Sequence, residues 1–211
     1  MFSDKDKVAK VVWHSGSVQS KERSQLLGQR PITIWLTGLS ASGKSTLAFA
    51  LERNFIDVGY ACYVLDGDNV RHRLNKDLGF STQDRTENIR RIAEVARLMN
   101  DAGLIVITAF ISPYSEDRSA ARCIIGADKF VEVYVSTPIE TCEARDPKGM
   151  YKRARAGELM GFTGVNAPYE PPATADMIID TSAVSLSECA GRLLSGLLPR
   201  IALPERAKSN N

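Results

Sequence analysis

The sequence predicts an α/β domain in which a mostly parallel, five-stranded sheet carries helices on both faces. Three observations predict it. Strand-like and helix-like segments alternate along nearly the whole chain, the order that strand–helix–strand crossovers produce. The run Leu104-Ile-Val-Ile-Thr-Ala-Phe110 is apolar almost without a break, as in a parallel strand buried on both sides. Between residues 32 and 58, a β-rich strand, a glycine-punctuated loop and a helical pattern follow one another directly. The 211 residues are 44% hydrophobic and 25% charged. That length suits one ordinary domain, and that composition excludes wholesale disorder, collagen and a coiled-coil rod.

The elements can be justified in order. Residues 1–30 read as a polar N-terminal arm in which Trp13 stands out, with a helical stretch from Val18 to Leu27 leading into the domain. The first strand is Ile32–Thr37, bounded by Pro31 and Gly38, and a helix follows from Lys44 to about Val58, ended by Gly59. A second strand, Ala61–Leu65, runs into Asp66-Gly67-Asp68. The clearest helix spans about Thr86 to Ala102, because Ile89, Ile92, Ala96 and Met99 recur on one face. Asp84 with Glu87 resembles a capping box at its start, and Gly103 is placed to end it. After the strand at 104–110 come a helix near Glu116–Ile125, the strand Phe130–Val135 and a helix Ile139–Arg145. The segment Asp146–Pro172 is basic, lacks sustained periodicity and is long for a plain connection, which suggests an active-site lid. Met177–Asp180 reads as the last strand and Ser185–Leu198 as the last helix, with a loose tail beyond Pro199. The expected organisation is therefore an arm (1–30), one domain (31–200, lid about 146–172) and a C-terminal tail (201–211).

Lys and Arg total 27 against 25 Asp and Glu, a net charge of +2. So balanced a surface gives no reason to expect nucleic-acid or membrane partners. No stretch reaches the roughly 20 apolar residues of a membrane span, and the charged N-terminus lacks the apolar region of a secretory signal. Cys62, Cys123, Cys142 and Cys189 are far apart and form no C-x-x-C pair, so reduced, mostly buried thiols in a cytoplasmic protein are expected. With only His14 and His72, histidine-based metal or triad chemistry is disfavoured.

The decisive motif is Gly38-Leu39-Ser40-Ala41-Ser42-Gly43-Lys44-Ser45, which matches G-x-x-x-x-G-K-[ST] and lies between a strand and a helix. Glycines let consecutive N–H groups turn inward, and those donors, with the positive end of the following helix, surround phosphate oxygens. Residues 38–46, ending at Thr46, are thus expected to bind ATP. Lys44 can reach the β- and γ-phosphates, and Ser45 can bind Mg²⁺. The fold becomes a P-loop NTPase three-layer sandwich. Asn75-Lys76-Asp77 is a near miss for a guanine-reading N-K-x-D motif, so a GTPase switch is disfavoured. Asp66 and Asp68 lie at the carboxyl end of the second strand, the edge where open parallel sheets bind ligands. They form either an Asp-Gly turn that caps a helix or a catalytic pair, with Asp66 acting on Mg²⁺ through water and Asp68 on an acceptor hydroxyl. Opposite a P-loop, the catalytic reading is preferred. Arg71, Arg73 and Lys76, then Arg85, Arg90 and Arg91, and five basic residues between Arg145 and Arg155 against Asp146, suggest an anionic acceptor. Phe80 and Phe162 can each stack on a base or plug a core.

Several blocks then occur in a fixed order: Asp66-Gly-Asp-Asn-Val-Arg71, Gly79-Phe-Ser with Asp84-Arg85, Glu87-Asn88-Ile-Arg-Arg91, Phe110-Ile-Ser-Pro113, Asp146-Pro-Lys-Gly149, Lys152–Gly157, Gly161-Phe-Thr-Gly164 and Pro168-Tyr-Glu-Pro-Pro172. Together with the P-loop they resemble adenylylsulfate kinase (APS kinase) over roughly residues 10 to 200. The resemblance implies transfer of a phosphoryl group from ATP, with Mg²⁺, to the 3′-hydroxyl of adenosine 5′-phosphosulfate (APS), giving ADP and the 3′-phosphorylated product. It also implies that Asp68, Arg71, Phe80, Arg85, Asn88, Ile111, Ser112, Lys148, Gly161 and Phe162 contact the acceptor, and that the chain is a homodimer, with the arm bearing Trp13 as the expected contact. Lys44, Asp66, Asp68 and Ser112 would be catalytic. Ser112 matches a serine described as a phosphorylated intermediate, although in-line transfer between two bound nucleotides needs only positioning and charge neutralisation, so a contact role stays open. Three departures stand out: Arg73 where glycine is expected, Ala41 in place of a P-loop glycine, and Val165-Asn-Ala instead of an acidic run. No sulfate-adenylating domain fits in the remaining residues, so the kinase alone is expected. The competing readings are a kinase for a nucleoside monophosphate or sugar acid, and a nucleotide-binding regulator.

Overall fold

A computed structural model describes residues 11, 12 and 14–203, and the expectation placed on Trp13 lies outside them. Five strands, β1 (Thr33–Thr37), β2 (Cys62–Asp66), β3 (Ile105–Ala109), β4 (Phe130–Val135) and β5 (Met177–Ile179), form one parallel sheet in the order β2-β3-β1-β4-β5. The helices are α1 (Ser20–Leu27), α2 (Lys44–Asp57), α3 (Gly67–Arg71), α4 (Thr82–Asp101), α5 (Ser115–Ile125), α6 (Ile139–Arg145), α7 (Met150–Arg155) and α8 (Leu186–Ile201).

The pleat of β1 explains the layers. Ile34 and Leu36 point to one face, where Leu47, Leu51 and Phe55 of α2 and Leu193 and Leu197 of α8 complete a core. Trp35 points to the other face, stacks on Phe110 and Phe130, and meets Ile89, Ile92 and Ala96 of α4 and Ala121 of α5. A third, smaller cluster sits under the expected lid: Cys142, Tyr151, Ala154 and Phe162.

The structure corrects several boundaries. α4 begins at Thr82, four residues before the expected start, because Ser81 Oγ accepts from the Asp84 amide at 3.2 Å. Glu87 is drawn instead to Arg90 and Arg91. The expected loose tail also starts too early. Helix α8 continues past Pro199, Ile201 is fully buried, and its carbonyl accepts from the Arg30 amide at 2.7 Å. Nor does a boundary at residue 30 separate an arm from the domain: Nε2 of the buried Gln29 side chain donates to the carbonyls of Ala61 and Gly103, both at 2.8 Å. Within residues 146–172, α7 forms where the Asp146 carboxylate accepts from the amides of Tyr151 and Lys152 at 3.1 and 3.0 Å.

Candidate active site

The carboxyl ends of β1, β2 and β3 open onto a cavity of about 870 Å³, near the upper end of the ~300–1,000 Å³ usual for small-molecule sites. Its floor is the turn from β1 into α2. Gly38 is required there, because a Cβ would stand 2.6 Å from the Val135 carbonyl oxygen. Ala41 takes a left-handed φ of 58°, a conformation costing a non-glycine residue about 1 kcal/mol. From below, Thr137 Oγ1 and Thr181 Oγ1 both donate to the Ser42 carbonyl, at 3.1 and 2.8 Å, and Arg145 holds Thr181 through its hydroxyl and carbonyl. Motif reading passed over both threonines. Thr181 could have been found by the rule that marked Asp66, since it lies just beyond the carboxyl end of β5.

Lys44 is only 8% exposed and folds over the loop, donating to the carbonyls of Gly38 (2.9 Å) and Leu39 (2.6 Å). Burial lowers its ammonium pKa to about 8, an effect that the Asp66 and Asp68 charges oppose. Ser45 Oγ donates to Asp66 Oδ2 at 2.6 Å, while Asp66 Oδ1 accepts from the amides of Asp68 and Asn69 at 3.1 and 3.3 Å. Asp66 therefore caps α3, as the Asp-Gly turn reading expects, and touches the P-loop serine at once. Asp68 is exposed, faces the cavity and pairs with Lys148.

The other end of the cavity is cationic and aromatic. Arg71 donates to the Leu78 and Gly79 carbonyls and lies 4.5 Å over the Phe80 ring. Partial burial, and then the nearby Arg85, lower the Arg71 guanidinium pKa. Arg85 reaches from α4 to the far segment: Nη2 donates to Gly161 O at 2.6 Å and Nη1 to Thr163 Oγ1 at 2.8 Å. Phe80 is 69% exposed and free to stack. Phe162 is 8% exposed and plugs the third cluster against Tyr151, with ring centroids 4.9 Å apart. Phe162 thus packs into a core while still lining the cavity that Phe80 also lines. Asn88 is buried and accepts from Asn75 Nδ2 at 3.0 Å. Ser112 is buried with a left-handed φ of 39°, and its Oγ accepts from the Trp35 indole at 3.2 Å.

Most of the expected site residues meet here, including Ser40, Ala41, Gly43, Thr46, Ile111 and Gly161; Leu39 faces a neighbouring surface pocket. Several basic residues do not. Arg90 and Arg91 pair with Glu87 and Asp77 on the outer face of α4, and Arg153 and Arg155 pair with Glu158 and Glu143. Arg73 and Lys76 are exposed and outside the lining. Of the five basic residues from 145 to 155, only Arg145 and Lys148 line the cavity.

A family model described as adenylylsulphate kinase matches residues 30–180. An adenylyl-sulfate kinase of Shewanella pealeana is 57% identical over 187 residues, covering 89% of this chain and 91% of that protein. Among solved structures, a Mycobacterium tuberculosis APS kinase in complex with AMPPNP and APS aligns with a TM-score of 0.77 and 47% identity, covering 80% of this chain and 98% of that one. A hexameric APS kinase from Thiobacillus denitrificans aligns at 0.62 and 34% identity, over 85% of this chain and 30% of that one.

Proposed function

The chain belongs to the adenylylsulfate kinase family, and on that premise we propose how its residues move the γ-phosphoryl group of ATP to the 3′-hydroxyl of APS. One observation carries the reading: a single cavity joins the P-loop to Asp68, Arg71, Phe80, Arg85 and Ser112, so donor and acceptor can lie end to end. The backbone of residues 38–46 cradles the ATP phosphates, and Lys44 swings from the Gly38 and Leu39 carbonyls to offset charge on the transferring group. Asp68 orients the 3′-hydroxyl and accepts its proton. Arg71 and Arg85 grip the phosphosulfate, and Phe80 stacks on the acceptor base. Residues 146–172 cover the site and keep water from the γ-phosphate, with Lys148 screening charge between the nucleotides.

Mg²⁺ would be held by Ser45 and Asp66. Two hard oxygen donors suit an ion that takes its remaining ligands from water and phosphate, and among the described residues no larger group of acidic, cysteine or histidine side chains gathers. When bound, it neutralises charge on the β- and γ-phosphate oxygens. The assembly we propose is a homodimer, and the ATP requirement together with four unpaired cysteines supports work in the cytoplasm. No helix among the described residues is long and apolar enough to cross a membrane.

The reading is tested by an ATP-plus-APS assay that detects the 3′-phosphorylated product, with AMP, CMP and gluconate as competing acceptors. A preference for any of those three would overturn it. Arg85→Ala is expected to raise KM for APS by about 10- to 100-fold at saturating ATP, the worth of one or two charged hydrogen bonds. A loss of ATP affinity alone would move Arg85 to the donor end. Ser112→Ala is expected to keep kcat within about tenfold of the parent, because its hydroxyl oxygen accepts from the Trp35 indole and direct transfer needs no covalent step at Ser112. Complete inactivity with APS binding intact would instead support a phosphoserine step.

A further inference from the structure

Arg118 belongs to none of the roles above, yet it is only 4% exposed and uses all three of its nitrogens on three different segments. Nε donates to Glu132 Oε1 on β4 at 2.7 Å. Nη1 donates to the Ser112 carbonyl and Nη2 to the Glu170 carbonyl, both at 2.8 Å. Of those acceptors, Ser112 lines the cavity, and Glu170 lies between Tyr169 and Pro171, which line the neighbouring surface pocket. Ser112 holds a left-handed φ of 39° without being glycine, a conformation that persists only where its surroundings impose it. Glu170 lies at the end of the covering segment and is tied to the same loop. Its amide donates to Pro113 O at 2.8 Å, and its carboxylate accepts from the Ser115 amide and hydroxyl, each at 2.7 Å. Next to it, Tyr169 OH and Thr37 Oγ1 are 3.1 Å apart, and Thr37 Oγ1 donates to Ile111 O at 2.7 Å.

We propose that Arg118 is a positioning residue: its guanidinium fixes the main chain at Ser112 and anchors the covering segment at Glu170, so that the acceptor pocket and one leg of its cover are held as a single unit. The inference rests on the kinase reading for its kinetic part. A lysine could not replace the arginine, because one ammonium cannot present three donors in a planar fork to acceptors on three segments. The 146–163 part of the cover is held differently, by Tyr151, Ala154 and Phe162 in the third cluster and by contacts from Lys148 to Asp68 and from Arg85 to Gly161.

Removing Arg118 alone strands the Glu132 carboxylate, which is only 12% exposed, so the test pairs the changes. In Arg118→Met/Glu132→Gln, binding of AMPPNP should stay within about threefold of the parent. KM for APS should rise, and kcat fall, by about tenfold each. Arg118→Lys should show the same split. Glu132→Gln alone should keep APS kinetics near the parent, because Arg118 keeps both carbonyls, although the unpaired guanidinium lowers the melting temperature. Amide hydrogen exchange at Ser115 and Glu170 should accelerate about tenfold in the paired variant and in Arg118→Lys, but not in Glu132→Gln. APS kinetics within about twofold of the parent, unchanged exchange, or a parallel loss of AMPPNP affinity in both Arg118 variants would overturn the inference. The exchange measurement needs no turnover. A parent enzyme that fails to phosphorylate APS would thus remove the kinase reading and leave the anchoring claim to be judged separately.

Discussion

Lys44→Ala is expected to lower kcat by about 10³-fold or more while the chain stays folded, as the loss of a preorganised cation facing a transferring phosphoryl group does elsewhere. Its stability signature is separate. In the folded chain the ammonium titrates at about 8, below its ordinary 10.5, because it is buried. Between those two values the unfolded chain binds more protons than the native one, so this group makes stability rise with pH across that window. Below pH 8 the net cost of holding the ammonium there is fully present, about 3 to 4 kcal/mol at about 1.4 kcal/mol per pKa unit. Lys44→Met removes that cost but also strips the Gly38 and Leu39 carbonyls of a donor. Relative to the parent, Lys44→Met should therefore be favoured more at pH 7 than at pH 9.5 when melting temperatures are compared. Near-native turnover in Lys44→Ala would remove the phosphate cradle from the mechanism. A stability difference that stayed flat with pH would show the ammonium to be solvated rather than buried.

How legible each part was depends on how far apart its pieces lie in the chain. The P-loop was legible because consecutive backbone groups build it, and β4 and α6 fall where periodicity placed them. The start of α4 was not: Asp84-x-x-Glu87 reads as the cap, but Ser81 Oγ takes the Asp84 amide and two arginines draw Glu87 away. The six residues of α7 are too few to set a period, and its start depends on a carboxylate rather than on an apolar face. Past Pro199, burial of Ile201 outweighs the expectation that proline ends a helix. For the site, the sequence showed that cations cluster but not which way they face. Arg85 and Arg91 share one helix, yet only Arg85 lines the cavity. Thr137 and Thr181 converge on Ser42 O from 95 and 139 residues away, and Arg118 gathers acceptors 6, 14 and 52 residues distant. No local pattern encodes such meetings.

The second large effect is expected at Asp68. The two carboxylates around Gly67 look equivalent in sequence, but Asp66 has both oxygens committed, one to Ser45 and one to two backbone amides. Among the described residues, Asp68 has only Lys148 as a side-chain partner, and it is exposed to the cavity. It is the carboxylate with an oxygen available to an incoming hydroxyl. Asp68→Asn keeps the shape and removes the base, so kcat should fall by about 10²- to 10⁴-fold. Melting should shift little, because an exposed ion pair contributes about 1 kcal/mol at most. The rival explanation is that Asp68 serves only to place Lys148. On that account Lys148→Met would reproduce the whole defect, and the double variant would be no worse than either single one. On the base account Lys148→Met costs about tenfold, chiefly in KM for APS, because it loses charge screening and not proton transfer. The two accounts separate in the ratio of the single-variant kcat values: near unity sinks the base, and a ratio near 10² or above assigns the proton to Asp68.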